Sequence, residues 1–428
     1  MPGPLPTPVA SDVHLPAHCD VVIVGGGIMG ACIAHALAER NHKVVVCEKG
    51  TFGAEQSSRN LGWVRFTNRK PIELDLMFES LRQWQTLDKR LARLTGYKQC
   101  GIVFSEKDEQ AMAMRRAWLE HLGPFGLKAQ VLSPTRIVDY FPGARYPAVG
   151  GIYSPFDGRA EPQLATSAIA EPARDKGATL LNHCAVQSID TAGGRVCGVH
   201  TERGYIASST VVIAGGVWSN LLCRQVGIDY PQLDVKVGAI NTTPVSGPDV
   251  SFGSSQFALR RRADGGYTVG NYFARADIVP NSFRYATRFA ASVRQPDLSL
   301  RLGKRFFEEL FRRTVKPGRS GPFERQRTLD PELWFDTQAM FNRISEMFPF
   351  LATAQIKERW AAHIDVTPDS LPVIDELTAV PGLFMCSGFS GHGFGIAPGA
   401  GTLMADLVTG AKPIVDPAAF SLKRFFKN

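Results

Sequence analysis

The stretch Val21-Val22-Ile23-Val24-Gly25-Gly26-Gly27-Ile28-Met29-Gly30, with Glu48 closing the next apolar run, decides the fold. The four β-branched residues before Gly25 read as a strand buried on both faces. Gly25, Gly27 and Gly30 have the G-x-G-x-x-G spacing, and Ala31 to Arg40 reads as a helix. A second strand runs from Lys43 to Cys47 and ends on Glu48. Gly25 permits the tight turn, Gly27 lets backbone approach a pyrophosphate, and Gly30 lets helix and strand pack closely. The helix N-terminus offers free N–H groups to phosphates. Glu48, eighteen residues past Gly30, can hold a ribose hydroxyl pair. These parts predict a dinucleotide site. The acid disfavours a 2′-phosphate and with it NADP, while NAD and FAD both remain, because both present ADP in the same way.

The 428 residues suffice for two domains. At 44% hydrophobic and 21% charged, the chain can bury a large core. No apolar run reaches the roughly 18 residues that a membrane span needs. Met1 to Ala17 holds five prolines and reads as a loose leader rather than a secretory signal. None of the eight cysteines forms a C-x-x-C pair, and Cys32 and Cys47 fall in predicted core. A reduced, cytoplasmic protein without a metal site is therefore expected.

The net charge of +8 is concentrated in one segment. Asn281 to Leu329 carries twelve Lys or Arg against four acids, which equals the whole excess. Arg301, Lys304, Arg305, Arg312, Arg313 and Lys316 interleave there with Phe306, Phe307, Leu310 and Phe311. This is either a solvated helix with an apolar core face or a docking surface for anionic lipid or an acidic partner. No nucleic-acid-binding motif accompanies the charge, so a nucleic-acid partner is not expected.

A further strand, glycine turn and helix occur at Thr210 to Trp218, after a predicted helix at Pro162 to Lys176 and hairpin strands at Val186 to Asp190 and Val196 to Thr201. Hairpin strands also flank the Ala263-Asp264-Gly265 turn, at Gln256 to Arg261 and Gly266 to Asn271. Leu74 to Ala148 reads as largely helical. The expected architecture is α/β: a Rossmann-type, glutathione-reductase-like cofactor domain interleaved with an α+β substrate domain on a mixed or antiparallel sheet. The cofactor domain takes residues 18–82, 149–231 and 329–428. The substrate domain takes residues 83–148 and 232–328, with a basic helical insert at 281–328.

Several stretches resemble the D-amino-acid-oxidase-like flavoproteins. They are Val21 to Gly30 with Glu48, Glu55-Gln56-Ser57-Ser58-Arg59-Asn60, Ala214 to Ser219, Trp360 with Thr367-Pro368-Asp369 and Ser370 to Ile374, and Gly388 to Gly395. They follow that superfamily's order over nearly the whole chain. Within it the chain is most similar to the bacterial L-amino acid deaminases, through Glu55 to Ser57, Val211 to Trp218, Arg260 to Gly265, the basic insert and Asp416 to Leu422. Those enzymes carry an N-terminal hydrophobic anchor that this chain lacks, and they place polar residues where it has Leu61-Gly62-Trp63.

The resemblance implies non-covalent FAD, since Trp360 to Val366 lacks the cysteine that tethers flavin in sarcosine oxidases. It implies a cofactor site of Gly25, Gly27, Ile28, Met29, Gly30, Glu48, Lys49, Gln56, Ser57, Ser58, Arg59, Asn60, Val186, Gly215 and Trp218. Gly388, Gly391, His392, Gly393, Phe394 and Gly395 complete it at the flavin's pyrimidine edge. Arg260 is expected to clamp a substrate carboxylate, with Trp63 walling the pocket and Arg65 as a second carboxylate group. The implied reaction moves hydride from the α carbon of an amino-acid substrate to flavin N5, leaving a 2-oxo acid and ammonium after hydrolysis. No metal and no general base are required. The electron acceptor is O2 or a membrane quinone chain, with residues 281–328 as a candidate contact at the inner face of the membrane. Oxidation of secondary amines or of D-amino acids, and a non-catalytic subunit of a dehydrogenase complex, are the alternatives.

Overall fold

The computed structural model describes residues 3–290, 298–315 and 327–426, with backbone alone for 312–315. Lys316, quoted above for the basic segment, and the rest of 291–297 and 316–326 lie outside the described residues, as do the side chains of Arg312 and Arg313.

The first glycine motif sits at the centre of a six-stranded sheet. Its order is Val373–Glu376, Leu383–Ser387, Val211–Ile213, Val21–Val24, Val44–Cys47, Thr179–Leu181. All pairs are parallel except Val373–Glu376 against Leu383–Ser387. Because strand side chains alternate, Val21 and Ile23 face one layer while Val22 and Val24 face the other. The first layer is helical: Ile28–Ala38, Leu74–Leu91, Pro162–Asp175 and Gly393–Thr409 share one core with Val21 and Ile23. The second is the antiparallel sheet Val186–Ala192, Arg195–Thr201 and Gly204–Ala207, which covers Val22 and Val24. This is the doubly covered sheet that an all-apolar strand such as Val21–Val24 demands.

A large mixed sheet forms the other half of the molecule. Leu233–Thr242 pairs along its whole length with Ile356–Val366, and on its other edge with Tyr267–Asn271 and Ala274–Ile278. The sheet continues through Phe257–Arg261, Ser251–Gly253, Ile102–Glu106, Gly150–Ser154 and Gln130–Leu132. The helix Thr337–Met347 packs Phe341 and Ile344 beneath it, together with Phe348.

The α/β architecture is as expected, but the boundaries differ. Gly150–Ser154 and Ile356–Val366, assigned above to the cofactor side, belong to the large sheet. Residues 83–91, assigned to the substrate side, end a helix whose Trp84 donates from Nε1 to the Gly395 carbonyl at 2.8 Å within the cofactor-side core. For the helix the cause is continuity, since Leu74–Leu91 cannot change layers midway; the two strands follow their pairing partners, Ile102–Glu106 and Leu233–Thr242. Between Leu74 and Ala148 the chain alternates short helices with the strands Ile102–Glu106 and Gln130–Leu132 instead of staying helical. The insert contains a strand, Leu298–Leu302, paired in parallel with Ala274–Ile278. The leader is not loose. Thr7 and Asp12 bond to the Gln163 and Leu180 carbonyls, Asn182 donates to the Val9 carbonyl, and Val9 is buried in the core.

Candidate active site

The chemistry concentrates in one cavity of about 800 Å³ between the two sheets, at the upper end of the roughly 300–1,000 Å³ usual for ligand pockets. The glycine motif shapes one wall. Gly25 has φ +116°, and a side chain there would overlap the Ala214 carbonyl. A Cβ on Gly30 would overlap the Gly25 carbonyl, so Gly30 packs behind the wall and does not line it. Gly27 lines the cavity, and its nearest neighbour toward a Cβ is Ser57 Oγ. That hydroxyl accepts the Ile28 N–H at 2.9 Å, tying the helix N-terminus to the short helix Gln56–Arg59.

Glu48 is a cavity residue whose two oxygens accept the Gly26 and Gly50 amides, each at 2.6 Å. Burial raises its pKa, opposed by those amides and by Lys49. Each oxygen keeps a lone pair for a hydroxyl, as a ribose site requires. Lys49 lies over the Trp218 ring at 5.4 Å, and both line the cavity with Val186 and Gly215.

Gln56, Ser57, Arg59 and Asn60 line the cavity, but Ser58 does not. Ser58 is fully buried and turns its hydroxyl to the Glu55 carbonyl. Three consecutive residues of a helix cannot all face one side. Arg59 donates from Nη1 to the Leu329 carbonyl, while its buried Nε has no partner among the described residues. Asn60 acts within its turn, donating to the Gln56 and Ser57 carbonyls and accepting the Gly62 N–H. A guanidinium on the wall beside the N-terminal residues Gly27, Ile28 and Met29 of a helix suits a pyrophosphate, so this wall fits the expected dinucleotide.

In the second glycine loop, Gly391, His392, Gly393 and Phe394 line the cavity. Gly388 and Gly395 stand behind it. A Cβ at Gly388 would collide with Thr367 and the Tyr230 hydroxyl, and Gly395 lies against the Trp63 carbonyl and Val64. The helix starts at Gly393, so its first amides open onto the cavity. Burial, and then the cations Arg65, Arg69 and Lys70, hold the His392 pKa well below its ordinary value. His392 is therefore a neutral imidazole, and its Nδ1 is buried without a partner among the described residues.

The structure corrects the substrate clamp. Arg260 does not line the cavity. It is 1% exposed; its Nη1 donates to Glu161 at 2.8 Å and to the Ala160 carbonyl at 3.2 Å, its Nη2 donates to the Thr268 hydroxyl at 3.2 Å, and its buried Nε has no partner among the described residues. The strand does aim it inward, but Gly62 and the Ala160–Glu161 turn close that face, with the position of a Gly62 Cβ only 3.1 Å from Arg260 Cζ.

Trp63 and Arg65 do line the cavity. Trp63 sits edge-on to Phe104, and its Nε1 has no partner among the described residues. Arg65 donates from Nη1 to the Thr67 and Asn68 carbonyls at 2.7 and 3.0 Å. Among the described residues no carboxylate lies within ion-pair distance of it. Its neighbour Arg69, by contrast, faces Glu73 and donates to the Arg65 and His392 carbonyls.

Among the cavity residues to which the sequence assigned no role are Tyr272, Trp360, Asp365 and Arg327. Tyr272 was findable by alternation, being two residues beyond Gly270, which faces Leu61. Burial pushes its pKa up to about 12, so the phenol stays protonated. Asp365 accepts Ser387 Oγ and the Gly388 N–H at 2.9 and 2.7 Å. Trp360 donates to the Arg59 carbonyl at 3.0 Å. Nothing local in the sequence marks Asp365 or Arg327 as cavity residues.

Comparison with known proteins identifies the fold and the family. The structure matches an L-amino acid deaminase from Proteus myxofaciens, solved in complex with anthranilate, with a TM-score of 0.92 and 31% identity over 99% of this chain and 97% of that one. An L-amino acid deaminase from Proteus vulgaris matches with a TM-score of 0.90 and 28% identity, over 98% of this chain and all of that one. Among curated proteins, a glycine oxidase of Pseudomonas putida is 26% identical, covering 94% of this chain and 97% of the relative. The model of the DAO family, FAD dependent oxidoreductase, matches residues 20–407. The chain belongs to this family of FAD-dependent oxidoreductases acting on amino acids and amines.

Proposed function

We propose that the chain oxidatively deaminates amino acids, with L-amino acids as the preferred class, to 2-oxo acids and ammonium, using FAD held without a covalent bond. The observation that carries this reading is Arg65, a guanidinium on the cavity wall whose hydrogen bonds go to carbonyls alone. Its remaining N–H groups suit a substrate carboxylate. The similarity to two Proteus L-amino acid deaminases supports the choice of L-amino acids.

Bound FAD supplies the acceptor for the substrate's α hydride. Arg65 binds the carboxylate and the protonated Tyr272 phenol donates beside it. Trp63 and Leu61 form an apolar wall that orients the side chain and excludes water. Arg65, Arg69 and Lys70 together oppose a substrate ammonium, so the amine binds as the free base. Burial and the neighbouring cations make His392 a weak base, so it is a poor acceptor for the amine's proton. The cavity cysteines, Cys47 and Cys386, are buried thiols with raised pKa values, which makes them poor nucleophiles toward flavin.

The insert exposes Phe283, Leu302, Phe307, Leu310 and Phe311 beside Arg301 and Lys304. We assign this patch to peripheral contact with an anionic membrane, with a quinone as acceptor; no helix among the described residues is long and apolar enough to cross one. Co-sedimentation with anionic vesicles at low salt tests that part, and protein left in the supernatant would refute it.

The main test is anaerobic bleaching of the flavin by paired L- and D-amino acids, with sarcosine and proline included. Rapid bleaching by L-amino acids supports the reading. Bleaching by secondary amines or D-acids alone would replace it. Flavin that stays with acid-precipitated protein would overturn the non-covalent assignment.

A further inference from the structure

We propose that Arg327 to Leu329, where the insert returns to the cofactor side, is a clasp that retains FAD. Arg327 lies on the cavity wall and bridges its two rims. Its two Nη groups fork onto Glu202 at 2.7 and 2.9 Å, and Nη1 also donates to the Lys49 carbonyl at 2.8 Å. Glu202 and Lys49 are both cavity residues, one following the Arg195–Thr201 strand and the other following Glu48.

Two residues on, Leu329 is fastened beside the pyrophosphate wall. Its N–H donates to Glu55 Oε1 at 2.7 Å, and its carbonyl accepts from Arg59 Nη1. Its side chain, 4% exposed, packs with Val217, Trp218 and Leu221 on the opposite rim. The leg thus joins the Glu48–Arg59 rim to the Glu202 and Val217–Leu221 rim, over the stretch that fits ribose and pyrophosphate. It also fixes one arm of Arg59, a residue of the cavity wall. Ligand release through this face requires the leg to lift.

The inference rests on FAD filling the cavity. An exposed ion pair alone contributes little, but a bidentate fork reversed to like charge is strongly unfavourable. The test is the rate of FAD release from the holoenzyme, followed by the rise of free flavin fluorescence after dilution. Arg327→Glu should release FAD at least about tenfold faster. The exchanged pair, Arg327→Glu with Glu202→Arg, should return to within about threefold of the original rate. Leu329→Ala provides an independent break and should also speed release. Unchanged release in both Arg327→Glu and Leu329→Ala, or no rescue by the exchange, would overturn the clasp alone. A chain that takes up no FAD would overturn the clasp and the proposed function together.

Discussion

The two arginines expected at the substrate show how the cofactor and substrate halves of the cavity differ. Arg260 sits on a regular strand, and its inward direction followed from alternation, yet the structure spends it on Glu161. Arg65 follows a two-residue strand and reaches the cavity. On the cofactor side, by contrast, the motif glycines stand where the spacing placed them, with Gly25 and Gly30 shaping the turn and Gly27 facing the cavity. The glycine-motif wall of the cofactor cradle is made of backbone within one β-α-β run, so its geometry is local. The substrate wall is assembled from Trp63, Tyr272 and Trp360, which are far apart in sequence, and which face is open depends on what packs behind.

The largest break in this contrast is Gly30→Val. A side chain there cannot coexist with the Gly25 carbonyl, so the strand–helix crossing must separate, and FAD binding should be lost. Flavin retained at normal stoichiometry on purification would show that the crossing tolerates side chains.

Next is Arg260→Met, which leaves Glu161 with the part-satisfied Arg159 as its remaining cation. Breaking a buried pair typically costs about 3–5 kcal/mol, so the melting temperature should fall steeply. A stable variant with a selectively raised KM for amino acids would return the clamp to Arg260.

A smaller effect is expected at Glu55, whose pKa burial pushes up to about 7, against Arg59 and the Leu329 amide. The folded state then holds a proton that the unfolded state releases near the ordinary carboxylate value of 4.5. Stability must therefore fall as pH rises from about 4.5 to about 7. Glu55→Gln should flatten that slope in urea titrations across the window, and an unaltered slope would place the proton elsewhere.

The smallest expected effect is on the pH profile of His392→Gln. Since the imidazole is already neutral, the pH dependence of flavin reduction should keep its ascending limb, which belongs to the substrate amine. A displaced limb would mean that His392 titrates during turnover.

The legible part of the fold was the part written in short-range pattern. Val21–Val24, Val44–Cys47 and the hairpin at Ala263-Asp264-Gly265 appear where apolar runs and turn residues predict them. The strand Leu298–Leu302 was hidden because its exposed face carries Arg301 among apolar residues, which mimics a basic helix. Residues 3–17 looked like a leader because their partners, such as Gln163, Leu180 and Asn182, are distant in sequence and leave no trace in local composition. Ser58, Gly388 and Gly395 belong to the right motifs but pack behind the wall, since a motif marks a segment and not which of its residues face inward.

The central claim is that Arg65 rather than Arg260 holds the substrate carboxylate. Its most direct test is anaerobic flavin reduction by Arg65→Met, comparing an amino acid with the matching amine that lacks the carboxylate. The account predicts that the amino acid loses about a hundredfold in apparent affinity, in line with roughly 2–3 kcal/mol for a charge-assisted bidentate contact, while the amine is unaffected. Equal losses for both, or none for either, would contradict it.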